Sequence, residues 1–457
     1  MNYFYFFFCI ALSGLILCKP ITKYIFSKIL QKENLRVIGS LSMIIGLLLI
    51  GISSNYELWF ERVWTLTTFV LGCILLLRGI FALIFPNIVK KLISSYFRNY
   101  YKFSVPISMF LVLIGILIVL NDYIGPKKDI SECISDTDIS VICGFKNPED
   151  MVITPDGKFL FISEFGGVKP YEDEKSGYFS LLEIKSSKKL VPNIKIAENT
   201  WGDKFCTRSE SQKYGPHGID LVMRNDQQYQ IGVINHYPKE TIEMFELVYE
   251  NNEWGMIWRG CINVPEKYYF NDISLKKDGT FYASYMYGRD ITLSRWLIAA
   301  LLKKNTGYLV EWDRNIFKKI QNTDGSGPNG IALDEKKQVI YINYNKGDKI
   351  SKFDLIANKE IESFSIESPD NPYISNNSVW VTSLDSQPND LRDCEVGKTC
   401  SAPFSIFELD KDTLMIKNKF SYSKTVFGLP TIAVPFENKI YLGSFRSDRL
   451  GVIIDKQ

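Results

Sequence analysis

A short unit recurs along residues 145–457: an apolar β-rich run, a polar turn, then a second apolar run. It appears as "MVITPDGKFLFISEF", "IDLVMRNDQQYQIGVINHY", "ISLKKDGTFYASYMYG", "IALDEKKQVIYINYN", "NNSVWVTSLDS" and "IAVPFENKIYLGSF". Alternating apolar residues around turn chemistry read as antiparallel hairpins. "PDGK" and "KDGT", taken alone, mean only hairpin turns. Six units at spacings of roughly 40–70 residues, without helix–strand alternation, predict a six-bladed β-propeller, a ring that limits exposed sheet edges.

The first part of the chain has a different texture. Apolar runs at about 2–18, 37–54, 63–86 and 104–120 each approach the ~20 residues that cross a hydrocarbon core. Run 2–18 lacks a basic leader and a small-residue cleavage site, so it reads as a retained helix. The expected organisation is a four-helix membrane region over 1–126, a linker over 127–144 and the propeller over 145–457. Lys19, Lys23, Lys28, Lys32 and Arg36 crowd the first loop; Lys90, Lys91, Arg98 and Lys102 crowd the third. The positive-inside rule puts both loops in the cytoplasm, and with them both termini and the propeller outside. Arg78, in the third run, is read as snorkelling or facing the bundle.

Residues 127–457 hold 42 Lys/Arg against 47 Asp/Glu. Neither part carries the basic field of a nucleic-acid binder, and no nucleic-acid partner is expected. Six cysteines fall in the outer part: Cys133, Cys143, Cys206, Cys261, Cys394 and Cys400. An even number outside the membrane suits disulfides. Cys394 and Cys400 would close a short loop; pairing of the other four is open. The cysteine spacing does not suit zinc. Residues 289–313, "RDITLSRWLIAALLKKNTGYLVEWD", interrupt the β pattern with a helix. That helix is either packed on the propeller or a lid over the tunnel touching the membrane, through which apolar substrates would arrive from the bilayer.

Before most units sits a polar element: "NPED", "GPHGID", "FNDIS", "GPNGIAL" and "PDNPYIS". The innermost strands of a propeller line one axis, so Glu149, Asp150, Asn271, Asp272, Asn329, Asp370 and Asn371 converge there. Any one such Asn or Asp more often caps its own turn. Five in register supply hard oxygen donors of the kind Ca²⁺ takes. Both histidines of the chain, His217 and His236, lie in this region.

"NPEDMVITPDGKFLFIS", "PHGIDL", "VINHYPKETIEMFEL", "FNDISL" and "GPNGIAL" together resemble the paraoxonase/arylesterase family, and the wider gluconolactonase, senescence-marker-protein and strictosidine-synthase-like propellers. The resemblance spans about 140–447. It implies two calcium ions in the tunnel: a catalytic one on Glu149, Asn271, Asn329, Asp370 and Asn371, and a structural one on Asp150, Asp272 and the carbonyl of Ile219. It implies a histidine dyad of His217 and His236 above the first. Asn376-Asn377 rivals Asp370-Asn371 as the fifth pair. No cysteine near the C-terminus offers a disulfide to close the ring. The expected activity is calcium-dependent hydrolysis of a small-molecule ester or lactone by a protein held in a lipid bilayer. The alternatives are a non-enzymatic, calcium-stabilised binding propeller, or a membrane region that does the main work.

Overall fold

The computed structural model describes residues 2–29, 32–56, 59–60, 62–120, 130–167, 169–209, 211–250, 253–385 and 399–454. They form two compact units, an N-terminal helical one and a β-propeller.

The helical unit contains α1 (Asn2–Leu17), α2 (Lys19–Ile29), α3 (Lys32–Ser54), α4 (Val63–Ile84), α5 (Pro86–Arg98) and α6 (Tyr100–Leu120). Among the described residues, three helices are long and apolar enough to cross a membrane, or up to four if the bent pair α1–α2 counts as one span. The pair bends by 83° at Cys18. The expected run 63–86 ends earlier: Phe85 leaves helical geometry and Pro86 starts α5, because proline has no N–H to continue the ladder but is pre-shaped for a first helical turn. Glycines let α3 and α4 touch backbone to backbone. A Cβ on Gly46 would lie 2.6 Å from Leu76 N, and one on Gly79 2.6 Å from Gly39 O. Small residues allow such close crossing where lipid gives no hydrophobic drive between helices. The outward faces are apolar: Leu48, Leu77, Met109 and Phe110 are exposed. Water would not tolerate so continuous a face; a bilayer does. By length and composition this unit is consistent with a membrane region.

The second unit is a six-bladed β-propeller of antiparallel sheets. The innermost strands are Pro148–Ile153, Pro216–Met223, Tyr268–Leu275, Pro328–Asp334, Tyr373–Ser375 and Pro430–Phe436, for blades one to six. Blade two gains a fifth strand, Asn193–Ile196, parallel to Glu253–Asn263. Apolar side chains fill the spaces between sheets, such as Phe161, Phe179, Ile231, Phe245 and Trp258 between blades one and two.

Ring closure comes from a segment read as linker. Ser140–Cys143 pairs antiparallel with Arg449–Ile454 as the outer strand of blade six. The propeller thus starts before residue 145: a four-residue strand whose partners lie three hundred residues away carries too short a pattern to read. Cys133–Cys143 and Cys206–Cys261 are disulfides. Cys400 is disulfide-bonded; the expected Cys394–Cys400 loop lies outside the described residues. Arg449, fully buried, donates to the carbonyls of Ile130 (2.7 Å) and Glu132 (3.0 Å) and to the Asp448 carboxylate.

Arg449→Met keeps the apolar stem and strands the buried Ile130 carbonyl, whereas Glu132 lies at the surface. An unsatisfied buried group costs about 1–3 kcal/mol, so propeller stability should fall by ~2 kcal/mol, which lowers a melting temperature by roughly 3–6 °C. A melt unchanged from wild type would show that the closing strand is held by its sheet ladder alone.

Candidate active site on the propeller axis

The inner strands do not run evenly past the axis. Register shifts interrupt pairing between Pro148 and Asp150, Pro216 and Ile219, Phe270 and Ile273, and Pro328 and Ile331. The residues inside these irregularities are Glu149, His217-Gly218, Asn271-Asp272 and Asn329-Gly330. A bulge re-aims the side chains it contains. Blade six slips likewise between Pro430 and Ala433, around Thr431, so five blades use one device to turn polar side chains away from their own sheet. Blade five has a short inner strand instead, preceded by Asp370-Asn371.

Neighbouring blades approach closely at two of these glycines. A Cβ on Gly218 would fall 2.4 Å from Asp272 Oδ1, and one on Gly330 2.4 Å from Asn371 Cα. Only glycine fits at either place. Asn371 Nδ2 donates to Glu149 Oε1 (3.0 Å), and His217 Nε2 lies 3.7 Å from that oxygen. Asn329 hydrogen-bonds the Asp370 carboxylate. Asp370 and Asn371 are buried, whereas the rival Asn376-Asn377 is the exposed turn of a hairpin, with Asn376 at φ +51°.

Two layers of oxygen donors result. Asp150, Asp220 and Asp272 act between blades. Asp150 Oδ2 accepts from Ile219 N, Asp220 Oδ2 from Leu275 N and Asp272 Oδ2 from Ile331 N, each at 2.7 Å. Their other oxygens accept from the amide of the following residue. It is thus the amide of Ile219 that meets Asp150; each carboxylate oxygen keeps a further lone pair. These three carboxylates line an axial cavity of about 270 Å³. The other layer is unsatisfied. Among the described residues, Glu149 Oε2, Asn271 Oδ1, Asn329 Oδ1 and Asn371 Oδ1 are buried without a hydrogen-bond donor. Native proteins seldom leave buried polar atoms unpaired. Four such oxygens, two buried carboxylates and no thiolate fit a hard cation such as Ca²⁺.

Charge repulsion points the same way. Burial pushes the Glu149 carboxyl well above the usual range, and the Asp150, Asp370 and Asp272 charges push it further. Burial takes Asp150 and Asp370 up to about 7, and desolvation takes Asp220 up to about 6.

The two histidines lie side by side. His217 Nδ1 and His236 Nε2 are 2.9 Å apart. Phe165 stacks on His217 and Tyr269 on His236, each with ring centroids 4.3 Å apart. Burial holds both imidazoles neutral, His217 well below its ordinary value and His236 down at about 3. Beyond them stands a residue that sequence reasoning missed: Glu240 Oε2 is 2.7 Å from His236 Nδ1. Its signal, an acid four residues after a histidine in "HYPKE", looks like turn charge. Glu240 Oε1 accepts from Phe270 N (3.0 Å), and Arg289 bridges Glu240 and Glu174 at 3.2 and 2.9 Å. Glu174, His236 and Glu240 have metal-like spacing, but Arg289 and Lys169 already pair with the carboxylates.

The helix at 289–313 is α7 (Leu293–Leu301). Trp296 is buried, donates to Tyr171 Oη (2.7 Å) and packs on Tyr287, which stacks on Tyr269. Trp296 is therefore part of the aromatic wall behind His236, and Leu297 and Ile298 are the exposed face.

A model of the arylesterase family matches residues 141–381. The chain belongs to the arylesterase family. The match takes in the bulged inner strands of blades one to four and the Asp370-Asn371 pair. No curated protein matches the chain. Among solved structures it is similar to a luciferin-regenerating enzyme, with a TM-score of 0.40 and 10% identity over 69% of this chain and 95% of that one. It is also similar to a gluconolactonase from Xanthomonas campestris, with a TM-score of 0.38 and 11% identity over 72% and 94%.

The raised carboxyls predict how stability depends on pH once divalent cations are stripped. Folded values near 6–7 exceed the ordinary value of about 3.9. The folded state then binds more protons between about pH 4 and 7, so stability falls as pH rises through that window. Denaturant melts in chelator should show a more stable propeller at about pH 5.5 than at about 8. Saturating calcium should flatten or invert that trend; a trend identical in both buffers would argue that no cation answers these charges.

Proposed function

We propose that this arylesterase-family protein is a membrane-anchored, calcium-dependent hydrolase of small esters or lactones. The four orphaned oxygens of Glu149, Asn271, Asn329 and Asn371, beside a neutral imidazole pair, carry this reading. Glu149, Asn271, Asn329, Asp370 and Asn371 would hold the catalytic ion, and Asp150, Asp272 and Ile219 a structural one. Ca²⁺ at the first position would polarise the substrate carbonyl and stabilise the oxyanion that develops on it.

The chain's own residues supply the proton chemistry. His217 takes a proton from the attacking water at Nε2, the nitrogen on the Glu149 side. A neutral imidazole suits a general base. His236 holds His217 through the 2.9 Å bond, and Phe165 and Tyr269 fix the ring planes from their flanks. Burial of both rings keeps bulk water from competing for the proton. The basic residues of α2 and α5, read by the positive-inside rule, and the two disulfides support an extracytoplasmic propeller.

Purified full-length protein in detergent should hydrolyse members of an aryl-ester and lactone panel with calcium and lose the activity in chelator. Asn271→Ala should lower calcium affinity and activity together. His217→Gln should cost ~10²-fold or more in kcat, the scale of a general base, with calcium affinity kept. Calcium-dependent stabilisation without turnover of any substrate would replace this reading with a binding propeller.

A further inference from the structure

The row Glu240–His236–His217 constrains where its protons sit. An ionised carboxylate only accepts hydrogen bonds. Its 2.7 Å contact therefore requires the proton of His236 on Nδ1. A neutral imidazole carries one N–H, so His236 Nε2 is then an acceptor. His217 Nδ1 must be the donor in the 2.9 Å bond. That leaves His217 Nε2 bare on the side of Glu149. With Glu240 protonated the row runs backwards. Glu240 donates to His236 Nδ1, His236 Nε2–H donates to His217 Nδ1, and His217 carries its proton on Nε2. The reversal takes up one proton from solution at His217 Nε2 and shifts two others along the row.

We propose that Glu240 is a positioning residue whose charge sets the direction of this relay: ionised, it presents His217 to the site as a base; protonated, it presents His217 as a proton donor. The geometry stands on its own contacts, while its catalytic consequence rests on the hydrolase reading above. Several groups face Glu240. Arg289 at 3.2 Å, the Phe270 amide at 3.0 Å and Lys169 favour the carboxylate. His236 shares its Oε2, and the Tyr269 and Tyr287 rings lie close by. Glu174 is the competing acid on Arg289. Burial opposes ionisation and takes Glu240 up to about 8. The base-presenting direction is thus favoured at high pH and lost as pH falls, with the row titrating as a unit.

The chain contains only two histidines, so ring-¹⁵N histidine spectra of the full-length, calcium-loaded protein report the relay directly. Expected are two Nδ1-protonated rings at about pH 9.5 and two Nε2-protonated rings at about pH 6.5, with kcat/KM rising over the same interval. Glu240→Leu should abolish the pH-dependent switch in the spectra and the pH limb in kcat/KM, and reduce activity at high pH by ~10-fold or more. Glu240→Asp should restore both in part. Wild-type tautomers that stay fixed across this range, or a switch that survives in Glu240→Leu, would overturn the proposal. If Glu240→Leu fails to fold, the wild-type spectra still decide. If no ester turns over, the hydrolase reading falls and the spectra still judge the relay.

Discussion

Like charges crowd the axis of this propeller, and the rest of the structure answers them. Glu149, Asp150, Asp220, Asp272 and Asp370 all come from inner strands or the turns entering them. A buried carboxylate without partners costs several kcal/mol. Three of the five are met by backbone amides, two each. Because one of those amides belongs to the next blade, the same bonds that solvate the charge also lace blades one to four together. Glu149 and Asp370 are not met in that way. They sit among asparagine oxygens that no N–H reaches. One axis therefore holds a stapling layer and a layer whose valence is open, and the second is the one to which the proposed function assigns a cation and a substrate.

The bulges make this division possible. A regular strand would alternate its side chains between its two faces and give the axis none of them in sequence. By slipping register at Glu149, His217-Gly218, Asn271-Asp272 and Asn329-Gly330, consecutive residues serve different layers. Glu149 goes to the open layer and Asp150 to the staple; Asn271 and Asp272 divide likewise. Gly218 and Gly330 then let the neighbouring blade close in to contact distance. Aspartate or asparagine beside a strand-starting proline or glycine is common turn chemistry, and in this ring it converges on one axis.

This explains which parts were legible in the sequence. Hairpins announce themselves through turn residues, so the six blades and the axial residues could be placed. The helical region could be placed from hydropathy, with the first run ending at Cys18 before Lys19-Pro20, but the break at Phe85 could not, since the apolar run reaches through it to Pro86. The closing strand Ser140–Cys143 escaped because its identity depends on a partner at the other end of the chain. Asp370-Asn371 could not be separated from Asn376-Asn377 by composition; burial separates them, one pair in the ring and the other in an exposed turn. Glu240 escaped for a related reason. It follows a turn and precedes a strand, where an acid is normally solvated, and only the arrival of Phe270 N and Arg289 from blade three makes it internal.

That last arrangement ties the histidine pair to the ring as a whole. His236 and Glu240 come from blade two, Tyr269, Phe270 and Arg289 from blade three, and Glu174 and Phe165 from the connections of blade one. A proton relay needs donor–acceptor distances held near 2.7–2.9 Å, and a single hairpin could not fix both ends of a row three side chains long. Here each end is anchored to a different blade, and the blades are fixed to one another by the carboxylate–amide bonds a few residues away. The stapling layer is thus more than support beneath the open one: it sets the spacing on which the imidazole row depends.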